Sequence, residues 1–520
     1  MELADDGFRF SGHADAMACR NGRVRLLVRA PCTYVPERRY VLDVVLSEWL
    51  GLEYDLCFGT ETQVTLQVAG DERGGEITLP DVLFSTPPES WLTERSMSVS
   101  PLARMRIQPS PHADVGTARL ASDRSLGDVI PVLFGDPSPQ QGVWCEKKTT
   151  GLALSVDVFG SVFFLLTRYE ELVGRVRDQH DRFPAGASLA AVEGFLDRPL
   201  ADEYVDVLWT AMHSLWPGLE RRSSALRLRL THDVDEFWAA HGRRVPTVAR
   251  AVAGDLLRRH DLDLATRRSR SLLEAWAGQV ERDPYNTFDF LMDTSERHGL
   301  RSTFYVMAGS TLPEFDGHYS LSDPPVARLL QRIHDRGHEI GLHASYGTYR
   351  SGERIRGEFD ALRAACAAIG IDQPTWGVRQ HYLRFENPLT WRIQESAGFE
   401  HDSTLGFADQ VGFRAGTCRE YPLFDLLDHR KLALRERPLL VMDGTLFNYL
   451  ALDSDDAAVR TRSIVDACRR QRGDAVLLFH NSSLAGARWR AFYGDLVEDL
   501  VRSSQRGGSC SVDRDHGAAG

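Results

Sequence analysis

The chain lacks paired cysteines. Its eight cysteines stand at positions 19, 32, 57, 145, 366, 418, 468 and 510 of 520, and no two are spaced as CxxC. This argues against a disulfide framework or a zinc finger, and predicts reduced, mostly buried thiols of a cytoplasmic protein. Long apolar runs are missing as well: the longest, such as VFFLL at 162–166, fall far short of a membrane span. The opening MELADDGFRF has neither the basic region nor the apolar core of a secretory leader, which again predicts a cytoplasmic location. Positive charge is in deficit. Against 73 Asp and Glu stand 61 Lys and Arg, a formal net charge of −12, which argues against a generic binder of nucleic-acid backbones. There is no internal repeat and no long low-complexity segment. What is present is ordinary for a globular protein, with 43% hydrophobic and 26% charged residues and enough length for two or three domains.

The first part, residues 1–222, reads as a mixed α/β domain. RVRLLVRAP (23–31), TQVTLQVAG (62–70) and GEITLP (75–80) predict strands. Phe163–Leu172 predicts a buried helix, and EYVDVLWTAMHSLW (203–216) a second. RYEE (168–171) and DRPLADE (197–203) are dense in charge and predict a solvated helix face or ion pairs between domains. No catalytic motif occurs here. A polar link, PGLERRSSA (217–225), precedes a second domain over 226–503. There, strand-like runs at 226–235, 302–307, 338–342, 375–379, 398–403, 438–443 and 475–480 alternate with helical ones. Such alternation predicts a parallel β/α sheet or barrel. The Arg/Ala/Leu-rich stretch 240–300 predicts helices broken at Asp283-Pro284-Tyr285, and 504–520 a disordered tail.

The richest chemistry lies in LRLRLTHDVD (226–235). Its alternation reads as a strand that ends in Asp233 and Asp235 beside His232. Acids at the carboxyl end of such a strand sit where α/β sheets and barrels carry their chemistry. A one-residue gap projects both from one side of an extended backbone, where mutual repulsion calls for a cation or a shared proton. A strand-end turn is the plainer alternative. Three more predicted strands end in polar clusters: His343, then Arg379-Gln380-His381-Tyr382, then His480-Asn481. Asp, His and His form a normal ligand set for zinc or a similar divalent ion.

These clusters, in this order, resemble the motifs of the polysaccharide deacetylases (the NodB-homology, carbohydrate esterase family four proteins). The D-x-D pair, GHEIGLHASYG (337–347), RQHY (379–382) and LLFH (477–480) carry the resemblance, which covers 226 to about 503. It implies a distorted (β/α)7 barrel and a metal-dependent hydrolase that removes N-acetyl groups from an amino sugar. By the same resemblance Asp233 is the general base and Asp235 and His343 are metal ligands. Arg379 orients the base, Tyr382 offers a backbone N–H to the oxyanion, and His480 is the general acid. The family's second metal histidine falls at 347, where this chain has Gly347. His381, in place of the family's proline, could replace it; His232 and His318 are further candidates. Otherwise the metal is weak or absent and the domain is a non-catalytic glycan-binding protein. Hydrolysis of another C–N bond, such as a cyclic amide, is a third possibility. Asp402, Asp443 and Asn481 are assigned to the substrate; holding His480, or capping a turn, is the alternative for Asp402 and Asp443. Trp376, Trp391 and Trp489 are expected in the core rather than as a sugar platform. The stretch 240–300 is expected to form a lid or a packing surface. The N-terminal extension loosely resembles deacetylase-like proteins of bacterial polysaccharide biosynthesis. That implies a nucleotide-linked, lipid-linked or oligosaccharide N-acetyl substrate, with no nucleic-acid partner.

Overall fold

The computed structural model describes residues 24–71, 75–106, 129–135, 144–239, 245–257, 262–276 and 283–506. Its first half builds a six-stranded sheet from β1 (Arg25–Pro31), β2 (Glu53–Gly59), β3 (Gln63–Val68), β4 (Glu76–Pro80), β7 (Cys145–Lys148) and β8 (Gly151–Leu154), in the order β2-β1-β3-β4-β8-β7. A separate pair joins β5 (Ala103–Arg106) to β6 (Val129–Val132). The period-two pattern of β1 puts Leu26, Val28 and Ala30 on one fully buried face. Helices Val35–Leu42, Val158–Leu166 and Leu200–Leu215 pack with this sheet in the core.

One expectation for this half is corrected, and one of two alternatives is decided in favour of ion pairs. The predicted helix over Phe163–Leu172 is broken, because Arg168 is left-handed (φ 52°) and separates Val158–Leu166 from Tyr169–Val173. The charged motifs are not a solvated face. Arg168, Glu170, Glu171, Asp202 and Glu203 are all buried, and Glu171 and Asp202 pair with Arg414 and Arg419 of the second half.

The second half is a curled sheet of nine strands. They are β9 (Arg227–Val234), β10 (Ser302–Val306), β11 (Glu339–Ala344), β12 (Gly377–Gln380), β13 (His401–Asp402), β14 (Tyr421–Asp425), β15 (Arg430–Glu436), β16 (Leu439–Met442) and β17 (Asp474–Leu478). Their order is β14-β15-β13-β12-β11-β10-β9-β17-β16. All neighbours run parallel except β14, which is antiparallel to β15 at one edge. Seven strands were expected. The extra pair is the β14–β15 hairpin, and the strand expected at 398–403 shrinks to the two residues of β13.

Strand β9 shows how the sequence orients this sheet. Its early arginines, Arg227 and Arg229, bond Asp474 on the first residue of β17, at 2.6 and 3.1 Å. Its acids lie at the opposite end, together with the ends of β11, β12, β16 and β17. Helices Val245–Leu257 and Leu262–Trp276 pack on each other and are tied by Arg268 to Asp255 (2.8 Å). Ala239, Leu264, Tyr285 and Ala485 form a small core joining them to the loop after β17. The final helix runs to Arg506, so the chain stays helical past 503; the rest of the expected tail lies outside the described residues.

One buried apolar cluster runs through both halves. Trp376 and Trp391 are buried in it, and Trp489 packs on Phe447. Of the six described cysteines, three are buried, Cys145 is intermediate and Cys32 and Cys57 are exposed, fewer buried than expected. Among the described residues no helix is long and apolar enough to cross a membrane.

Candidate metal centre

Asp235, His343 and His381 offer donor atoms that all lie within 4.8 Å of one another. Each stands at or just past the carboxyl end of a parallel strand: β9, β11 and β12. Asp235 Oδ1 is 3.0 Å from His343 Nε2, and Asp235 Oδ2 is 3.7 Å from His381 Nε2.

The other nitrogen of each ring decides what those contacts mean. His343 Nδ1 lies 3.0 Å from the backbone oxygen of Arg379, an atom that only accepts, so Nδ1 carries the proton. A neutral His343 therefore turns the lone pair of Nε2 toward Asp235. Both His343 Nε2 and Asp235 Oδ1 are buried without a hydrogen-bond partner. Two acceptors facing each other at 3.0 Å require a cation or a proton between them. His381 repeats the pattern. Its Nδ1 is 3.1 Å from Asp316 Oδ1, so the proton sits there and Nε2 faces Asp235.

Asp316 is itself fixed. It accepts from the backbone N–H groups of Thr311 (2.7 Å), Leu312 (2.8 Å) and Tyr346 (2.7 Å). Burial works against its charge, but His381 and those N–H groups outweigh it and hold the carboxyl down to about 2. Burial would lower His381 too; Asp235 and Asp316 reverse that and raise it to about 9, so without a metal a proton fills the site. Asp235 is pulled well below the usual carboxylate range: burial would raise it, but His480 and His381 prevail.

Two further groups flank the donors. Asp233 Oδ1 accepts from Arg379 Nη1 at 2.8 Å, and its Oδ2 lies 3.7 Å from His343 Nε2. Arg379 is wholly buried, bonds Thr231, Ser403 O and Ser403 Oγ, and lies 4.4 Å over the Tyr305 ring. Gly341 in GHEIGLH makes room for that ring, since a Cβ there would meet Tyr305 at 2.5 Å. On the other side, His480 Nδ1 is 2.7 Å from Asp443 Oδ1 and its Nε2 is 3.5 Å from Asp235 Oδ2. Burial lowers His480, but Asp443 and Asp235 raise it to about 10, while its edge stays 17% exposed.

The remaining assignments fall elsewhere. Gly347 donates its N–H to Thr311 Oγ1 (2.7 Å), and a Cβ there would already press on that hydroxyl at 3.0 Å. His232 is buried, bonded to Phe479 O and lowered to about 4 by burial, and His318 is exposed. Asp402 is fully buried, takes a bond from Thr404 and pairs with Glu436, away from the metal donors. Asn481 is likewise buried, its amide nitrogen bound to Glu236 O and Tyr285 O. Asp443 holds His480, accepting from its backbone N–H and facing its Nδ1. Tyr382 stands beside His381 with a left-handed backbone (φ 61°), as does Leu383 (φ 55°).

Residues 26–217 match the profile of a family of unknown function, DUF7033. No curated protein sequence matches the chain significantly. Among solved structures the chain is similar to a protein assigned as a polysaccharide deacetylase from Mycobacterium smegmatis. The identity is 16%, with 54% of this chain and 85% of that chain covered and a TM-score of 0.36. It is also similar to the chitin deacetylase of Colletotrichum lindemuthianum (10% identity, 54% and 83% covered, TM-score 0.29). A third similar structure is Puue allantoinase (12% identity, 57% and 94% covered, TM-score 0.33).

Sequence reasoning missed Asp316 altogether. It lies ten residues past the end of β10 in an irregular loop, with no periodic run to mark it. Its following Gly317 is a hint: a Cβ there would meet Asp235 O at 2.2 Å, so this loop must pass tightly beside the acids.

Proposed function

We propose that this chain is a metal-dependent hydrolase that removes the N-acetyl group of an amino sugar in a glycan or glycan precursor. One observation carries the proposal: His343 Nε2 and Asp235 Oδ1 face each other, buried and unpartnered, with His381 Nε2 completing the donor set. Asp235, His343 and His381 would hold a divalent ion, zinc by ligand type. When bound, that ion supplies positive charge that polarises a water and an acyl carbonyl.

The rest is done by the chain's own side chains. Asp233, oriented by Arg379, takes the proton of the attacking water through Oδ2, the oxygen Arg379 leaves open. The backbone N–H of Tyr382 is the group assigned to the oxygen that gains charge. His480 gives its Nε2 proton to the departing amine, because Asp443 occupies Nδ1. The C–N bond breaks, and acetate and a free amine leave. The substrate is proposed as a nucleotide-linked, lipid-linked or oligosaccharide N-acetyl sugar, met in the cytoplasm.

Zinc- or cobalt-loaded protein should release acetate from at least one member of an N-acetyl-sugar panel. Asp233→Asn and His480→Ala should each lower kcat by about 10²-fold or more. No acetate from any member would overturn the proposal. Opening of a cyclic amide instead would move the chain to a different C–N bond.

A further inference from the structure

Residues 178–182 of the first half, Asp-Gln-His-Asp-Arg, make a turn that closes on itself. Asp178 N donates to Arg182 O (2.9 Å), Asp178 Oδ1 accepts from the N–H groups of His180 (2.8 Å) and Arg182 (3.0 Å), and Arg182 Nε returns to Asp178 Oδ2 (2.8 Å). The turn then reaches the strand-end face of the second half. Arg182 Nη1 bonds Tyr382 O (3.2 Å) and Nη2 bonds the Tyr449 hydroxyl (3.1 Å). His180 Nδ1 meets the Tyr346 hydroxyl (3.1 Å), and Arg384 Nε donates to His180 O (2.8 Å). Asp181 Oδ2 accepts from the Tyr349 hydroxyl (2.6 Å) and pairs with Arg350 (2.8 Å). The His180 ring packs on Tyr382 at 4.7 Å and on Phe315 at 5.7 Å.

These partners come from four loops, and each loop belongs to one group of the candidate centre. Phe315 adjoins Asp316. Tyr346 and Tyr349 follow His343, Tyr382 and Arg384 follow His381, and Tyr449 follows Asp443. The carbonyl that Arg182 takes belongs to Tyr382, the first of two consecutive left-handed residues directly after His381. Side chains rarely hold that backbone without outside support. Arg182 is no spare anion binder, because its charge is met by Asp178 at 2.7 Å and its side chain is only 8% exposed.

We propose that residues 178–182 are a positioning element for the candidate metal centre, with Arg182 acting through Tyr382 on His381. The first half thereby completes a site whose ligands all lie in the second. The metal part rests on the hydrolase function proposed for this site; the ordering of the loops does not.

The test uses the full-length chain with Arg182→Ala and His180→Ala, read by hydrogen exchange and by cobalt titration. Exchange over 379–385 and 345–350 should quicken by about tenfold or more while β1–β4 and β17 stay unchanged. Cobalt affinity should fall by about 10- to 100-fold, as for loss of a group that orients a ligand. Folded variants with unchanged exchange in those loops would overturn the proposal. So would faster exchange spread evenly over the chain, or cobalt binding identical to wild type in both variants. If wild type itself takes no cobalt, the metal function fails, and exchange alone decides whether the turn orders the loops. If Arg182→Ala does not fold, His180→Ala decides, since it removes only the contacts of a partly exposed ring.

Discussion

A histidine presents a lone pair reliably only when its other nitrogen gives a proton away. His343 gives it to a backbone oxygen and His381 to Asp316, so their two free nitrogens converge on Asp235. The two anchors differ in kind. A backbone carbonyl cannot be mutated, whereas Asp316 can. Asp316→Asn keeps an acceptor for His381 Nδ1 but removes the negative charge that strengthens the ring as a donor. It should weaken zinc or cobalt affinity by about 10- to 100-fold, with some loss of local stability, because the amide nitrogen then faces the N–H groups of Thr311 and Leu312. Competition against a chromophoric chelator measures this, and an unchanged affinity would remove Asp316 from the site. At this scale the sequence was readable where a residue ends a strand. Asp235, His343, Arg379 and His480 all follow apolar runs. Asp316 was not readable, because its contact with His381 spans 65 residues and depends on how a loop folds back. Asp402 misled for a related reason: a strand-end acid can point into the packed interior as readily as toward solvent.

The parallel strands were legible as elements because burial on both faces leaves short apolar runs between helical segments. The β14–β15 hairpin was missed. In β14, YPLFD, every residue is buried, so no alternation shows; β15, RKLALRE, does alternate and went unpredicted. Strand β13 is brief, yet it brings Asp402 beside Glu436 of β15, two carboxyls in a dry place. Burial lifts Asp402 to about 6, and burial together with Asp402 lifts Glu436 well above the usual carboxylate range. The folded state thus binds protons that the unfolded chain releases near pH 4. Asp402's contribution to stability is fullest below about pH 4 and is lost as pH rises through about 6, and Glu436's is lost as pH rises through its own raised value. Glu436→Gln keeps an acceptor for Leu405 N and can donate to Asp402. It should flatten that fall and raise stability at pH 7.5 relative to the parent. Urea unfolding of both proteins at pH 4.5 and 7.5 checks it; parallel pH dependence in the two would refute it.

The two halves behave as one body in their contacts. Tyr40 OH donates to Pro422 O (2.7 Å), Tyr421 OH donates to Leu166 O (3.0 Å), and the Tyr40 and Phe163 rings pack on Phe424 at 4.9 and 5.4 Å. Glu171 sits between Arg168 and Arg414, all buried; burial opposes its charge, but the two arginines bring it down to about 2. The expectation of ion pairs between the halves anticipated such contacts, but composition alone could not tell a buried pair from a solvated one. Glu171→Gln leaves the buried Arg414 guanidinium without its carboxylate, while Arg168 keeps Glu170, and should cost about 3–5 kcal/mol. Calorimetry should show one unfolding transition, moved down as a whole. Two resolved transitions, only one of them shifted, would mean that the halves unfold independently.

Strand β14 adds an order of events to this picture. It is the antiparallel edge of the nine-stranded sheet, the kind of edge that recruits foreign strands when left bare. The helices Val35–Leu42 and Val158–Leu166 that cover it are made by the ribosome hundreds of residues earlier. During synthesis the cover is therefore finished before the edge it protects exists. The first half is thus in place before the edge it covers, and a gene fusion that moved the second half alone would carry the metal donors without that cover and without the 178–182 turn that touches their loops.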